Sequence, residues 1–202
     1  GGERVLDAIA RALALLPHVE VAGLFVMFDD THSLSRAVDA LPHVRSTLGR
    51  LPWASGPLRR WLLPLYPLAV GDLSRRLAAL HRKKPIDLVI STSSAAIKGL
   101  KAPQGVPHLC YCHSPARYVW SQTKHYSDGS VLRGLGLRLF SERFKTWDRR
   151  TSANVSTFIA NSNHTRSEIQ RCFSRDAKVL FPPVRTEFFT PPTQQRPLDG
   201  PW

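Results

Sequence analysis

Long apolar runs, paired cysteines and acidic residues are all scarce in this chain, and each shortage closes off a class of protein. No apolar stretch approaches the roughly 20 residues that a membrane-spanning helix needs, so no spanning segment is expected. Glu3, Asp7 and Arg11 break up the apolar residues at the start, which rules out the layout of a secretory leader. Only three cysteines occur (Cys110, Cys112 and Cys172), an odd number, with two of them one residue apart in a β-prone run. That is poor geometry for a disulfide framework, and a reducing, cytoplasmic setting is the expectation. The sequons at Asn154 and Asn163 then have no bearing. The single methionine is Met27 and the chain opens on Gly1-Gly2, so the expectation is a fragment that lacks its first residues. Against 15 Asp and Glu stand 28 Lys and Arg, a net charge of +13 with a pI near 10.5. Such a balance favours an anionic partner: nucleic acid, acidic lipid head groups or a phosphorylated substrate.

With 202 residues, 43% of them hydrophobic and 21% charged, the chain has enough material for one substantial core and a connecting tail. Apolar residues at positions 5, 8, 9, 12, 13 and 16 predict a helix that Pro17 stops. A β-rich run follows from Glu20 to Phe28, then a loop-rich stretch to about Ser55 and helical segments from Pro57 to His81. Short buried-type strands are expected at Asp87–Ser91, His108–Cys112, Thr157–Asn161 and Lys178–Phe181. Helices are expected over Ala95–Lys98, over Val131–Ala153 with interruptions at Gly134 and Gly136, and over Thr165–Cys172. Continuous apolar strands alternating with helices predict an α/β fold, a Rossmann-like doubly wound parallel sheet. This architecture ordinarily opens on a strand, so a first, central strand is expected to be missing ahead of Gly1-Gly2. Residues 1–184 form the expected domain, and the Pro-rich residues 185–202 an extended linker.

The densest chemistry lies between His108 and Trp120. The strand stops at His113, and Ser114-Pro115 opens a segment carrying Arg117, Tyr118 and Trp120. Imidazole, hydroxyl, guanidinium and phenol groups just past the carboxyl end of a parallel strand sit where open α/β sheets bind ligands. A second feature is the basic and aromatic stretch from Trp53 through Arg59, Arg60, Trp61 and Tyr66 to Arg75 and Arg76. It suits an anionic membrane interface, or equally a helix whose aromatic face is core and whose basic face is solvated.

Several ordered blocks resemble glycosyltransferase family 4, in particular its lipopolysaccharide and O-antigen mannosyltransferase-like branch. They are Gly1 to Arg11, Tyr66 to Ala69, Asp87 to Gly99, Cys110-Tyr111-Cys112-His113-Ser114-Pro115 on to Trp120, Trp147-Asp148-Arg149-Arg150, Phe158 to Ser162, and Phe181 to Val184 followed by Phe188-Phe189. The resemblance implies the N-terminal, acceptor-side domain of a two-domain GT-B enzyme, with the donor-binding domain lying beyond this chain. It implies retaining transfer of a sugar, mannose by expectation, from a nucleotide-sugar donor such as GDP-mannose to a glycan or lipid-linked acceptor. No cofactor and no metal are implied. Peripheral contact with the cytoplasmic face of an anionic membrane is expected, nucleic acid is not, and the isolated fragment is expected to be inactive.

Carried onto these residues, the resemblance makes His113 the catalytic candidate, facing the donor sugar at the reaction centre. An imidazole there can hydrogen-bond a sugar hydroxyl and stabilise developing oxocarbenium charge; the alternative is a strand-end histidine bonded to a nearby carbonyl. Gly1 and Gly2 match the N-terminal glycine loop beneath the substrate, or a plain strand-to-helix turn. Ser91, Thr92 and Ser93 are placed after a strand end, to meet acceptor hydroxyls or to cap a helix. Ser114, Arg117 and Tyr118 are candidates for holding acceptor phosphate or sugar, with Arg117 alternatively paired to Asp148. Asn161 and Ser162 are candidates at a further strand end, Ser162 also as a helix cap. Asp148 is expected to anchor a guanidinium. Ser121 and Arg185 stand where the family pattern is often acidic.

Two other readings follow from the residues themselves. Histidines and cysteines at 108, 110, 112 and 113 invite a metal site, but 108, 110 and 112 alternate onto one face of a strand and 113 onto the other, and no second ligand pair is close. A basic nucleic-acid-binding module rests on charge alone, with no zinc knuckle, RNP-like block or KH-type glycine loop.

Overall fold

The structure is a computed structural model that describes residues 2–29, 34–51, 62–93, 96–116, 120 and 131–184, with 131–139 described by their backbone. It opens with α1 (Gly2–Ala14), which has Glu3 in its first turn and Arg11 in its last, as the helix dipole favours. Then come β1 (Leu24–Val26), the single-turn α2 (Arg36–Asp39) capped by the Ser35 hydroxyl, and β2 (His43–Arg45). β1 is shorter than the expected Glu20–Phe28 run, and α2 and β2 fall in the stretch expected to be loop. Elements of three or four residues are too short for hydrophobic periodicity to reveal.

Next is α3 (Tyr66–Lys83), which starts on Pro67 in its first turn and ends on His81, Arg82 and Lys83. β3 spans Val89–Ser93, a shift of two residues from expectation, followed by a 3₁₀ turn at Ile97–Gly99 where a helix was expected. β4 (His108–Cys112) is where it was expected. α4 (Val131–Thr151) runs through Gly134 and Gly136 without a break. β5 (Thr157–Ala160), α5 (Asn163–Phe173) and β6 (Ala177–Val179) complete the order. α5 stops because Ser174 turns left-handed, with φ of 55°.

The alternating parallel α/β architecture is the one expected, with its strands in two sheets among the described residues. β1 pairs with β2, and β3, β4, β5 and β6 pair in that order, all parallel. α3 underlies both sheets: Leu73 and Leu77 are buried in one cluster with Phe25 and Met27 on the β1 side and Val89 of β3. Its Asp72 accepts hydrogen bonds from the Thr47 backbone and hydroxyl and from Arg76. Gly49 passes so close to β1 that a Cβ there would lie 2.2 Å from the Met27 carbonyl oxygen. The apolar stripe expected on α1 is only partly covered: Val5 is buried, whereas Ala12 and Leu16 are exposed.

The main core lies on one face of the four-stranded sheet. His108, Cys110 and Cys112 alternate onto it, and the cysteines join Phe158, Ala160, Ile169, Cys172 and Phe173. Phe158 and Phe173 stack at 5.9 Å, and each such ring buried stabilises by about 1.5–3 kcal/mol. His108 is fully buried, its Nε2 2.8 Å from the Ser91 hydroxyl and its Nδ1 3.2 Å from the Asn154 carbonyl.

Two sequence blocks interlock here. Asp148 was expected to hold a guanidinium; it holds the ammonium of Lys98 instead, with Oδ1 at 2.7 Å, and accepts the Trp120 indole N–H on Oδ2 at 2.8 Å. Lys98 reaches this depth because Gly99 lets the chain approach Trp147, whose ring would lie 3.0 Å from a Cβ at that glycine. Arg149, next to Asp148, donates to the Cys172 carbonyl across the core.

Tyr66 of the basic-aromatic stretch is buried against Phe28 rather than presented to a membrane. Trp53, Arg59, Arg60 and Trp61 lie outside the described residues, as do residues 185–202. Among the described residues no helix is long and apolar enough to cross a membrane.

Candidate functional site

The carboxyl ends of β3, β4 and β5 form a stepped rim, because parallel pairing continues one residue past each strand. The His113 amide donates to the Ser93 carbonyl at 2.8 Å, and the Asn161 amide donates to the Cys112 carbonyl at 3.3 Å. Beyond this rim α5 begins. Ser162 has extended backbone and its hydroxyl accepts from the Thr165 amide, which satisfies one of the helix's free donors. Thr165 in turn donates its hydroxyl proton to the His113 carbonyl at 3.2 Å, so strand end and helix start are tied together.

A cleft of about 290 Å³ opens at this junction, walled by His113, Ser114, Trp120, Asn161, His164 and Glu168, with Ser162 and Thr165 at the base of α5. His113 is half-buried, its ring edge-on to Tyr111 at a centroid distance of 5.2 Å. Nε2 is screened from solvent and has no hydrogen-bond partner among the described residues. Burial pushes the His113 pKa below the ordinary histidine value, so the ring is neutral at physiological pH. A neutral imidazole with an unspent ring nitrogen suits a ligand hydroxyl. A larger, one-sided groove of about 360 Å³ along α4 is lined, among the described residues, by side chains of that helix alone, including Glu142, Trp147 and Arg150.

The other expected site residues fall into three sets. Gly2 stands directly against the imidazole, since a Cβ there would be 3.5 Å from His113 Nε2; Gly2, His113, Ser114, Asn161 and Ser162 are therefore brought together. Ser91, Thr92 and Ser93 were expected beyond a strand end but lie within β3, which extends to Ser93. The Ser91 hydroxyl is buried against His108, Thr92 is half-buried on the opposite face, and Ser93 is buried at the rim with its carbonyl bonded to His113. Gly1, Arg117 and Tyr118 lie outside the described residues. His108, Cys110 and Cys112 point into the core, and among the described residues no three His, Cys, Asp or Glu side chains come together to hold a metal.

Over residues 1–188 the chain matches the family model described as Glycosyltransferase Family 4, a span that contains the rim, the cleft and the Lys98–Asp148 lock. The chain belongs to glycosyltransferase family 4. No curated protein and no solved structure matches it. Membership of family 4 makes it a glycosyltransferase chain, whose substrates are in general a nucleotide-sugar donor and an acceptor.

Three cleft residues of this glycosyltransferase were not anticipated: His164, Thr165 and Glu168. His164 and Glu168 are one turn apart on α5, a spacing that puts both side chains on one face. The available signal was that i, i+4 pair immediately after a strand-end serine cap.

Proposed function

We propose that this chain is the acceptor-side half of a retaining glycosyltransferase that moves mannose from GDP-mannose to a glycan or lipid-linked acceptor in lipopolysaccharide or O-antigen synthesis. It works at the cytoplasmic face of the membrane, where the net charge of +13 favours contact with anionic lipid. The donor is held largely by a second domain, and residues 1–202 alone are inactive. A central parallel strand joining β1 to β3 belongs to the same proposal, supported by the break between the two sheets and the half-covered face of α1.

One observation carries the reading: in a family 4 chain, a neutral imidazole stands at the carboxyl rim of a parallel sheet on the wall of a cleft, its unpartnered Nε2 turned toward Gly2. Ligands of open α/β sheets bind at that rim. His113 hydrogen-bonds a hydroxyl of the transferring sugar and, being uncharged, does not oppose the positive charge that grows at the anomeric carbon. The acceptor's proton passes to the departing phosphate oxygen, so His113 need not act as a base. Charge alone suggested a nucleic-acid module, but the single permanent charge among the described cleft residues is the carboxylate of Glu168, the wrong sign for a phosphate backbone.

The test is turnover by the full-length enzyme. His113→Ala is expected to lower kcat at least ~10-fold, the loss of one well-placed transition-state hydrogen bond. Wild-type turnover in that variant would remove His113 from the mechanism.

A further inference from the structure

From the chemistry of the cleft walls we infer that Glu168, braced by Arg171 and flanked by His164, is the specificity-determining carboxylate of a subsite for the hydroxyls of a neutral sugar. The inference deepens the transferase reading and rests on it for the name of the ligand's role, the acceptor.

Glu168 is held in place before any ligand arrives. Arg171, three residues on, grips both carboxylate oxygens, Nε to Oε1 at 2.9 Å and one terminal nitrogen to Oε2 at 2.6 Å. This hydrogen-bonded guanidinium, opposed only in part by burial, keeps Glu168 ionised, below the usual glutamate range. Each oxygen retains a further lone pair, and the side chain is 23% exposed, so the carboxylate is fixed yet reachable. A fixed carboxylate accepts charge-assisted bonds from O–H donors.

The neighbours point the same way. Across the cleft His113 offers a neutral ring, Asn161 and Ser114 offer polar atoms that bond either sense, and Trp120 supplies an apolar wall. No Lys or Arg lines the cleft among the described residues, although the chain carries 28 of them. Among the described lining residues a diphosphate would find one carboxylate, already paired to Arg171, and no Lys or Arg. A sugar ring, with hydroxyl donors at its rim and apolar C–H faces, finds partners for both.

The experiment uses the full-length protein and two probes, methyl α-mannopyranoside as the neutral sugar and inorganic pyrophosphate as the charged part of a donor, each titrated by ligand-observed NMR. The glycoside is expected to bind the wild type, to bind Glu168→Gln at least ~10-fold more weakly, since one hydrogen bond to a charged group is lost, and not to be displaced by pyrophosphate. Arg171→Gln, which keeps the carboxylate but frees it to swing, is expected to fall between. Glycoside binding that is absent in the wild type, equal in Glu168→Gln, or competed by pyrophosphate would overturn the inference. Sugar transfer is measured alongside with GDP-mannose. Transfer by the wild type with unchanged acceptor KM in Glu168→Gln sinks the subsite and leaves the transferase; glycoside binding that depends on Glu168 without any transfer does the reverse.

Discussion

Replacing Lys98 with methionine removes the ammonium while keeping an unbranched side chain at the same buried position. The wild-type side chain is 1% exposed, and its ammonium has three partners: Asp148 Oδ1 at 2.7 Å, the Asp148 carbonyl at 2.7 Å and the face of Phe173 at 4.3 Å. Asp148 is wholly buried, and in the variant it keeps only the Trp120 indole on Oδ2. A buried carboxylate left without its cation costs about 3–5 kcal/mol. For a chain of this size each kcal/mol moves the Tm by about 2–4 °C, so the expected drop is about 6–20 °C. Urea denaturation of the full-length protein, followed by tryptophan fluorescence, gives the same loss as a shift in midpoint. The exposed pair Arg11–Asp7 serves as a control, with Arg11→Ala expected to cost under ~1 kcal/mol. In a double-mutant cycle, Lys98→Met with Asp148→Leu should lose less than the sum of the singles, the remaining deficit reflecting a buried indole N–H without an acceptor, about 1–3 kcal/mol. A single Lys98→Met cost below ~1 kcal/mol would refute the reasoning, because it would mean the pair is not the closed lock described.

Gly49→Ala should destabilise by ~1–3 kcal/mol, measured by thermal melts, because its Cβ meets the Met27 carbonyl at 2.2 Å and backbone must give way. His108 is neutral in the fold because burial lowers its pKa, whereas the unfolded chain takes up a proton near pH 6.5. The unfolded state therefore binds more protons below that value, and this share of stability is complete above about pH 6.5 and falls as pH drops toward the folded pKa. His108→Gln should flatten that part of the pH–stability curve. For Asp72, burial raises the carboxyl pKa, but hydrogen bonds from the Thr47 amide and Arg76 outweigh it and leave the value lowered. Its stabilisation is present above the unfolded carboxyl range and is lost as pH falls through the folded pKa. Asp72→Ala should cost about 1–3 kcal/mol at pH 7 and progressively less as pH falls through the folded pKa, read by denaturant titration across the acid range.

What could be read in advance depended on how local the cause was. β4 was legible because Cys110-Tyr111-Cys112 is a continuous β-prone run with a clear stop, and α5 because Ser162 announces its own cap. α2 and β2 were not, since their pairing is set by partners elsewhere in the chain. The misplacement of β3 moved Ser91, Thr92 and Ser93 from an expected loop into the sheet, and no local signal separates a strand ending at Ser91 from one ending at Ser93. Asp148 was recognised as an anchor, but its partner was not: a lysine 50 residues away became the ion-pair partner only because Gly99 allows Trp147 to lie against the chain. His164 and Glu168 escaped notice because two polar residues one turn apart are ordinary on any solvated helix. Their meaning comes from what the fold sets opposite them.

The alternation of β4 carries a consequence for how such a site can evolve. Side chains 108, 110 and 112 are packed into the interior, so sliding the strand by a single position would drive Leu109, Tyr111 and His113 toward that face and expel that packing. The aim of the imidazole at 113 is thus guaranteed by atoms it never meets. Residues past the rim lie outside that constraint, whereas the direction in which this ring looks is set by the hydrophobic interior.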